Sequence, residues 1–212
     1  MMKHIPILLL IGFSLSLCNL ANKLHGKKSG SGGSDSSSSP SDAGGAVAER
    51  AQPSAAQTAA LAGGQEIKWD QQGISFTVPA KWVESSSDSK TFAWRSPGGF
   101  EAANLIVSVS LMDESFPTDV SIKAFYDGAK SRAKNGEVDE LKWVEIDGLK
   151  GVQFRESNPE KPDDFRRLHW MAYRKYAGQV QLLNLMLSTT GKGFTQHQDA
   201  MYGVLYSAKI IH

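Results

Sequence analysis

Residues 166–188 read RRLHWMAYRKYAGQVQLLNLMLS, and this stretch decides the fold. Two runs of alternating side chains flank Ala177 and Gly178, which predicts a hairpin of two long strands, 166–176 and 179–188. The second run is apolar at odd and even positions alike, which is typical of a central strand covered on both faces. The protein is therefore expected to be built around a sheet.

The pattern on either side of this hairpin alternates between strands and helices. Residues 141–146 and 150–155 flank Asp147 and Gly148, which is a strong hairpin signal. Apolar residues at helical spacing predict one helix over residues 120–134 and a second over 193–209.

Three further strands are predicted upstream, at residues 74–79, 91–95 and 103–111, and the simplest arrangement makes them antiparallel neighbours. The order is strands, helix, four strands, helix. This order predicts an α+β layered domain with a mostly antiparallel sheet.

Composition excludes several functions. The chain has 212 residues, 23 basic and 22 acidic side chains, and a net charge of +1, so it lacks the basic excess of a nucleic-acid-binding protein. Its single cysteine excludes an internal disulfide framework and a cysteine-rich zinc site.

The amino terminus has the outline of an export signal. Lys3 precedes an apolar stretch of 13 residues, 5–17. A helix of that length spans about 20 Å, against about 30 Å of bilayer hydrocarbon. We therefore expect residues 1–17 to be a signal peptide that is removed, and not a permanent membrane span.

Cys18 directly follows this stretch. With Leu15, Ser16 and Leu17 it resembles the lipobox of bacterial lipoproteins, in which the cysteine is acylated and the chain is cleaved just before it. Leu17 replaces the usual small residue, as in the looser lipoboxes of spirochaetal lipoproteins. The resemblance implies fatty acylation of Cys18, for instance by palmitate, and anchoring to a bacterial membrane of the cell envelope, with the outer membrane expected. The alternatives are ordinary secretion with cleavage after Ala21 and an uncleaved anchor.

The residues after Cys18 change character abruptly. Of the 19 Phe, Trp and Tyr residues, only Phe13 precedes Trp69, and Ser, Gly and Ala dominate the sequence between them. Such a stretch has too little apolar surface to offset the entropy of ordering its backbone. We expect residues 18–64 to be a flexible, disordered tether and residues 65–212 to form the folded domain.

Three segments of the domain resemble a known family. Residues 73–82, with the pattern Gly-apolar-x-Phe-x-apolar-Pro-x-x-Trp, the hairpin at 145–151 and the ending at 204–210 are similar to PsbP-like and DcrB-like domains. The resemblance covers nearly all of residues 65–212 and implies an αβα sandwich around an antiparallel sheet. It brings no catalytic residues, and it implies a non-enzymatic accessory or binding protein.

The sequence offers little catalytic chemistry. Asp163, Asp164 and His169 are ordinary metal ligands or hydrolase residues by type, but residues 158–164 are typical of a solvated loop, so a hydrolase is only a weak alternative. The segment 189–193 lacks the glycine spacing of a phosphate-binding loop. No metal, cofactor or catalytic residue is predicted.

One row of side chains suggests binding. Alternation that buries Leu168 and Trp170 turns the next residues to the opposite face, where an anionic or aromatic ligand could bind. The candidate binding residues are Arg167, His169, Tyr173 and Lys175. The alternative is that the C-terminal helix covers part of this row and water the rest.

Two functions remain open. The first is a lipid-anchored, non-enzymatic module that binds an envelope protein or a small ligand. The second is an adhesin-like lipoprotein on the cell surface that contacts macromolecules of a host. In both, the partners are a membrane, through the N-terminal lipid, and an unidentified protein or ligand, and not a nucleic acid.

Overall fold

The structure is a computed structural model that describes residues 47–212. The predicted signal peptide, the lipidation site Cys18 and tether residues 18–46 lie outside the described residues.

Within residues 47–212 the chain forms three α-helices and eleven strands. The helices are α1 (Ala55–Ala60), α2 (Thr118–Lys134) and α3 (Gly191–Tyr206). The strands are β1 (Glu49–Arg50), β2 (Gln65–Trp69), β3 (Ile74–Val78), β4 (Val83–Ser87), β5 (Thr91–Arg95), β6 (Asn104–Met112), β7 (Val138–Ile146), β8 (Leu149–Glu156), β9 (Phe165–Tyr176), β10 (Gln179–Thr190) and β11 (Lys209–Ile210).

Eight strands form one sheet in the order β1-β7-β8-β9-β10-β6-β5-β4. All neighbours are antiparallel except β1 and β7, which are parallel. The predicted hairpin lies in the middle of the sheet, where β9 and β10 pair from Tyr176 opposite Gln179 to Phe165 opposite Thr190. Left-handed backbone at Ala177 and Gly178, with φ values of 50° and 77°, makes the tight turn between them.

Each face of the large sheet carries a different layer. On one face the main core joins Leu168, Trp170, Leu185 and their neighbours to Phe194 and Leu205 of α3. On the other face Val152 and Phe154 of β8 pack with side chains of α2. The predicted α+β sandwich around a mostly antiparallel sheet is therefore confirmed.

The partner of β3 differs from the prediction. It pairs with β2 and β11 in a separate three-stranded sheet, and not with β5. Its residues Ile74, Phe76 and Val78 are buried in the main core, and Trp69 of β2 stacks on Phe92 of β5 at 5.7 Å between ring centroids. An alternating run shows which face is buried but not which strand lies beside it, so the pattern did not identify this layer.

The predicted tether is also too long. The structure places strand β1 and helix α1 within residues 47–64, and Ala51 and Leu61 pack against the main core. Ser54 caps α1 by accepting a hydrogen bond from the Gln57 N–H at 3.2 Å, and the Ala51 N–H donates to Glu145 O at 2.8 Å. Contacts with α3 and β7 order these residues, although their composition is that of a linker.

No helix within residues 47–212 has the length and apolar content needed to cross a bilayer.

Candidate binding face

The four candidate binding residues lie on β9 and point to the side of the sheet that carries α2. Between them Leu168, Trp170 and Ala172 are fully buried on the other side, so the alternation is as predicted. The covering element differs from the expectation. Met171, in the same row, packs beneath α2, whereas the C-terminal helix α3 lies on the opposite face.

Arg167, Tyr173 and His169 already have partners in the described part of the protein, and only Lys175 does not. The Arg167 guanidinium donates to Glu156 Oε2 at 3.1 Å, which neutralises its charge locally. The hydroxyl groups of Tyr173 and Ser121 are 2.8 Å apart and share a hydrogen bond. Lys175 is exposed.

His169 is half-buried against an aromatic ring. Its ring stacks on Phe154 with 4.6 Å between ring centroids and an interplanar angle of 15°. Burial lowers the pKa of His169 to about 4, and the nearby Arg167 and Arg132 guanidinium groups add to this effect while Glu156 opposes it. The imidazole is therefore neutral near pH 7 and does not supply a positive charge for a ligand.

The same side of the sheet continues beyond β9 onto strands that the sequence did not connect with it. Residues directly opposite each other in a sheet share a face, so the pairing register extends each β9 position into a row across β10, β6 and β5. One row is Arg167, Ser188, Asn104 and Arg95. The next is His169, Met186, Ile106 and Ala93, and the third is Met171, Asn184, Ser108 and Thr91.

We call this surface the α2-side face: the side chains of β9, β10, β6 and β5 that point to the side of α2. Helix α2 packs on β7, β8 and β9, and beyond it Ile106, Leu182 and Met186 remain half-buried. The expectation that β10 is covered on both sides is therefore wrong in part, because Leu182, Asn184 and Met186 on its α2 side are only half-buried, whereas Leu183, Leu185 and Leu187 on its α3 side are fully buried. Methionine is enriched at protein–protein interfaces, and its flexible side chain adapts to the shape of a partner.

Charge on the α2-side face has one sign. Arg167, Lys175 and Arg95 are its charged residues, and the α2 side of these four strands carries no Asp or Glu. Arg95 and Lys175 are exposed and form no ion pair within residues 47–212. Arg95 is a potential binding residue that sequence analysis missed, although alternation with Phe92 and Trp94 places it on this side.

Two other polar clusters in the described region are internally neutralised. A cleft of about 320 Å³ beside the three-stranded sheet contains Lys68 and Lys209. The Lys68 ammonium lies 3.2 Å from Glu66, and that of Lys209 lies 3.9 Å from Asp147.

A second cluster lies between β7, β8 and α3. There Tyr202 donates to Glu140 Oε2 at 2.8 Å, and Arg155 donates to Asp139 Oδ1 at 2.6 Å. Arg166 also pairs with Asp139 and lies over the ring of Phe194 at 4.2 Å from its centroid. These pairs tie α3 to the sheet.

The loop carboxylates considered for catalysis or metal binding lie elsewhere. Asp163 Oδ1 lies 2.9 Å from the Lys192 ammonium, which is also 2.8 Å from Glu101. The groups that act on His169 are instead Phe154, Glu156 and Asn184. Within residues 47–212 no three His, Cys, Asp or Glu side chains are grouped so that they could hold a metal ion.

Comparison with known proteins gives matches of structure only. No family model and no curated protein sequence matches the chain. The crystal structure of LpqN, involved in cell envelope biogenesis of Mycobacterium tuberculosis, is similar with a TM-score of 0.51 and 12% identity, over 70% of this chain and 90% of LpqN. At this identity, the likeness is one of fold.

Two further structures are similar at lower scores. The solution structure of cyanobacterial PsbP (CyanoP) from Synechocystis has a TM-score of 0.46 and 15% identity, over 69% of this chain and 92% of CyanoP. A protein of Bacteroides thetaiotaomicron has a TM-score of 0.46 and 13% identity, over 70% of this chain. This chain spans about half, 49%, of the length of the Bacteroides protein.

Proposed function

We propose that this protein is a lipid-anchored, non-enzymatic binding module of the bacterial cell envelope, and that it binds its partner on the α2-side face. The observation that carries the proposal is the half-buried apolar centre of that face, formed by Met186, Ile106 and Leu182, with polar and cationic side chains around it. Specific interfaces commonly have an apolar centre and a polar rim.

The attachment to a membrane is proposed from the sequence. An apolar leader ends at Cys18, and a stretch rich in Ser, Gly and Ala follows it. Acyl chains on that cysteine would hold the protein at a bilayer, since each buried methylene contributes about 0.8 kcal/mol.

A binding role rather than a catalytic one is supported by the state of the candidate catalytic groups. The half-buried, neutral ring of His169 is stacked on Phe154, and Asp163 is paired with Lys192. General acid–base catalysis needs a titratable group within hydrogen-bond reach of the substrate and with a pKa near the working pH. His169, with a pKa of about 4, lacks the second property.

Lipid anchoring is tested by phase partitioning. Replacing Cys18 by Ala should move the protein from the detergent phase to the aqueous phase, whereas Ser14→Ala, which keeps the cysteine, should leave it in the detergent phase. An unmodified mature amino terminus downstream of Cys18 in mass spectrometry would contradict the proposal. Protease treatment of intact cells then distinguishes a surface-displayed, adhesin-like protein, which is degraded, from one on an internal face.

Binding on the α2-side face is tested by photo-cross-linking in intact cells. A photoreactive residue at Ser110, exposed on β6 and on this face, should give an adduct of defined mass, and one at Thr195, exposed on α3, should not. Equal adducts from both positions, or none from Ser110, would argue against this face.

A further inference from the structure

We infer that the partner segment on the α2-side face is an extended, acidic and amphipathic stretch of another protein. This inference rests on the proposed binding function and adds the chemistry of the partner. In this arrangement apolar side chains of the segment contact Met186 and Ile106, and its carboxylates pair with Arg95 and Lys175.

The charge expected of the partner segment follows from the charged side chains on the face that form no ion pair. Arg167 is neutralised by Glu156, but Arg95 and Lys175 form no ion pair within the described part of the chain. Because the α2 side of β9, β10, β6 and β5 lacks carboxylates, an approaching acidic group is attracted at both ends and meets no repulsion from the strands between. A basic segment would face like charges instead.

The centre of the face is suited to apolar contact. Met186 and Ile106 are direct cross-strand neighbours, and Leu182 lies two rows away on β10. Methionine side chains adapt to irregular apolar shapes. Ser108, opposite Asn184, adds hydrogen-bonding groups next to this apolar centre. An amphipathic segment would use both kinds of contact.

The register sets the length of the segment. Arg95 shares a row with Arg167, three strand spacings away, which is about 14 Å. Lys175 lies eight residues further along β9, which is about 26 Å at 3.3 Å per residue. The two unpaired cations are thus about 30 Å apart at opposite corners of the face, a distance that about ten residues of extended chain would span.

Two copies of this protein do not fit together through their α2-side faces. Two such faces in contact would bring cationic rims together without carboxylates to neutralise them. The area enclosed by the four strands, about 400 Å², is also well below the roughly 800 Å² per partner of a stable standard-size interface. A short segment of a different protein meets neither objection.

The test uses a defined peptide and the full chain, observed by NMR of methionine and isoleucine methyl groups. The probe is a ten-residue peptide with Glu at each end and alternating Leu and Ser between, and its counterpart carries Lys at each end. The acidic peptide should shift the methyl signals of Met186 and Ile106, and the basic peptide should bind at least tenfold more weakly.

Charge reversal provides the matched control. Arg95→Glu with Lys175→Glu should weaken binding of the acidic peptide at least tenfold, whereas Lys68→Glu with Lys209→Glu, at exposed sites beside the three-stranded sheet, should change it less than twofold. Both pairs alter the net charge equally, so a general charge effect would weaken binding in both. All four side chains are exposed, and a thermal melt checks that each variant remains folded.

The outcomes separate this inference from the proposed function. Binding on the face that is equal for both peptides, or unchanged in the Arg95 and Lys175 variant, would overturn the acidic partner and leave the face as a binding surface. If vesicles of phosphatidylglycerol shift these methyl signals and the acidic peptide does not, the acidic protein partner is also overturned, and the face remains a binding surface. Absence of methyl shifts with either peptide would overturn the inference, and absence of cross-links from Ser110 as well would overturn both proposals.

Discussion

At the scale of single residues, His169 couples the stability of the fold to pH. Burial against Phe154 lowers its pKa to about 4, from 6.5 for an unburied histidine. Between these two pH values the unfolded chain binds a proton that the folded chain does not, so the free energy of unfolding falls as the pH falls. The difference corresponds to roughly 3 kcal/mol when the titration is complete.

Replacing His169 by Phe should reduce this pH dependence. The variant keeps an aromatic ring against Phe154 but has no group to protonate, so its free energy of unfolding should decrease by about 2 kcal/mol less than that of the natural protein between pH 7 and 4.5. Urea denaturation at a series of pH values measures the difference. Met171→Leu, in the same face and without a titratable group, should retain the natural slope. An unchanged slope in the His169 variant would show that another group dominates acid unfolding.

At the scale of secondary-structure elements, close backbone contact holds helix α1 on α3. A Cβ atom at Gly203 of α3 would lie 2.8 Å from Gln57 O and 3.1 Å from Leu61 Cγ. A backbone oxygen cannot move aside without displacing its helix, so a side chain at this position should separate α1 from α3. The glycine is therefore kept in the helix despite a cost of about 1 kcal/mol relative to alanine.

Gly203→Ala should release α1 without unfolding the domain. The amide of Thr58, which donates to Ser54 O at 2.9 Å, should exchange with solvent at least tenfold faster, and amides of β10 should keep their protection. Gly128→Ala is the matched control, because Gly128 lies in exposed α2 with no atom within 4 Å of the new Cβ. That change should raise stability by about 0.5–1 kcal/mol and leave Thr58 unaffected. Unaltered exchange at Thr58 in the Gly203 variant would mean that α1 does not depend on this contact.

The elements differ in how well local sequence predicted them, and the reason is where their stabilising contacts come from. The hairpin of β9 and β10 was predicted because alternation and the turn at Ala177 and Gly178 are contained in one short stretch. Helix α1 was missed because no residue of it is buried and its partner α3 follows more than 130 residues later. Its sequence alone has the composition of a linker.

Local sequence also predicted only part of the α2-side face. Alternation predicted that Arg167, His169, Tyr173 and Lys175 share one side of β9, and they do. It could not predict that Arg95 lies in the same row as Arg167, because that depends on the pairing of β5 with β6, of β6 with β10 and of β10 with β9. It also could not predict that Met186 lies opposite His169. It also could not show that Glu156 neutralises Arg167, since this pair joins neighbouring strands.

At the scale of the whole molecule, the position at which the folded domain begins is a testable property. Composition put that boundary at residue 65, whereas the structure includes β1, α1 and the core contacts of Ala51 and Leu61 before it. A chain that starts at residue 65 loses these contacts and exposes the part of α3 around Gly203 that α1 covers. A chain that starts at residue 47 keeps them.

The shorter chain should therefore be the less stable of the two. Leu61 is half-buried in the fold, so loss of its contact alone is worth about 1 kcal/mol, which corresponds to roughly 2–4 °C in melting temperature for a domain of this size. Calorimetry of the two chains measures the difference, and a chain starting at residue 47 with Leu61→Ala should fall between them. Equal melting temperatures would mean that residues 47–64 rest on the domain without stabilising it, and the functional linker would then extend to residue 64, as composition alone predicts.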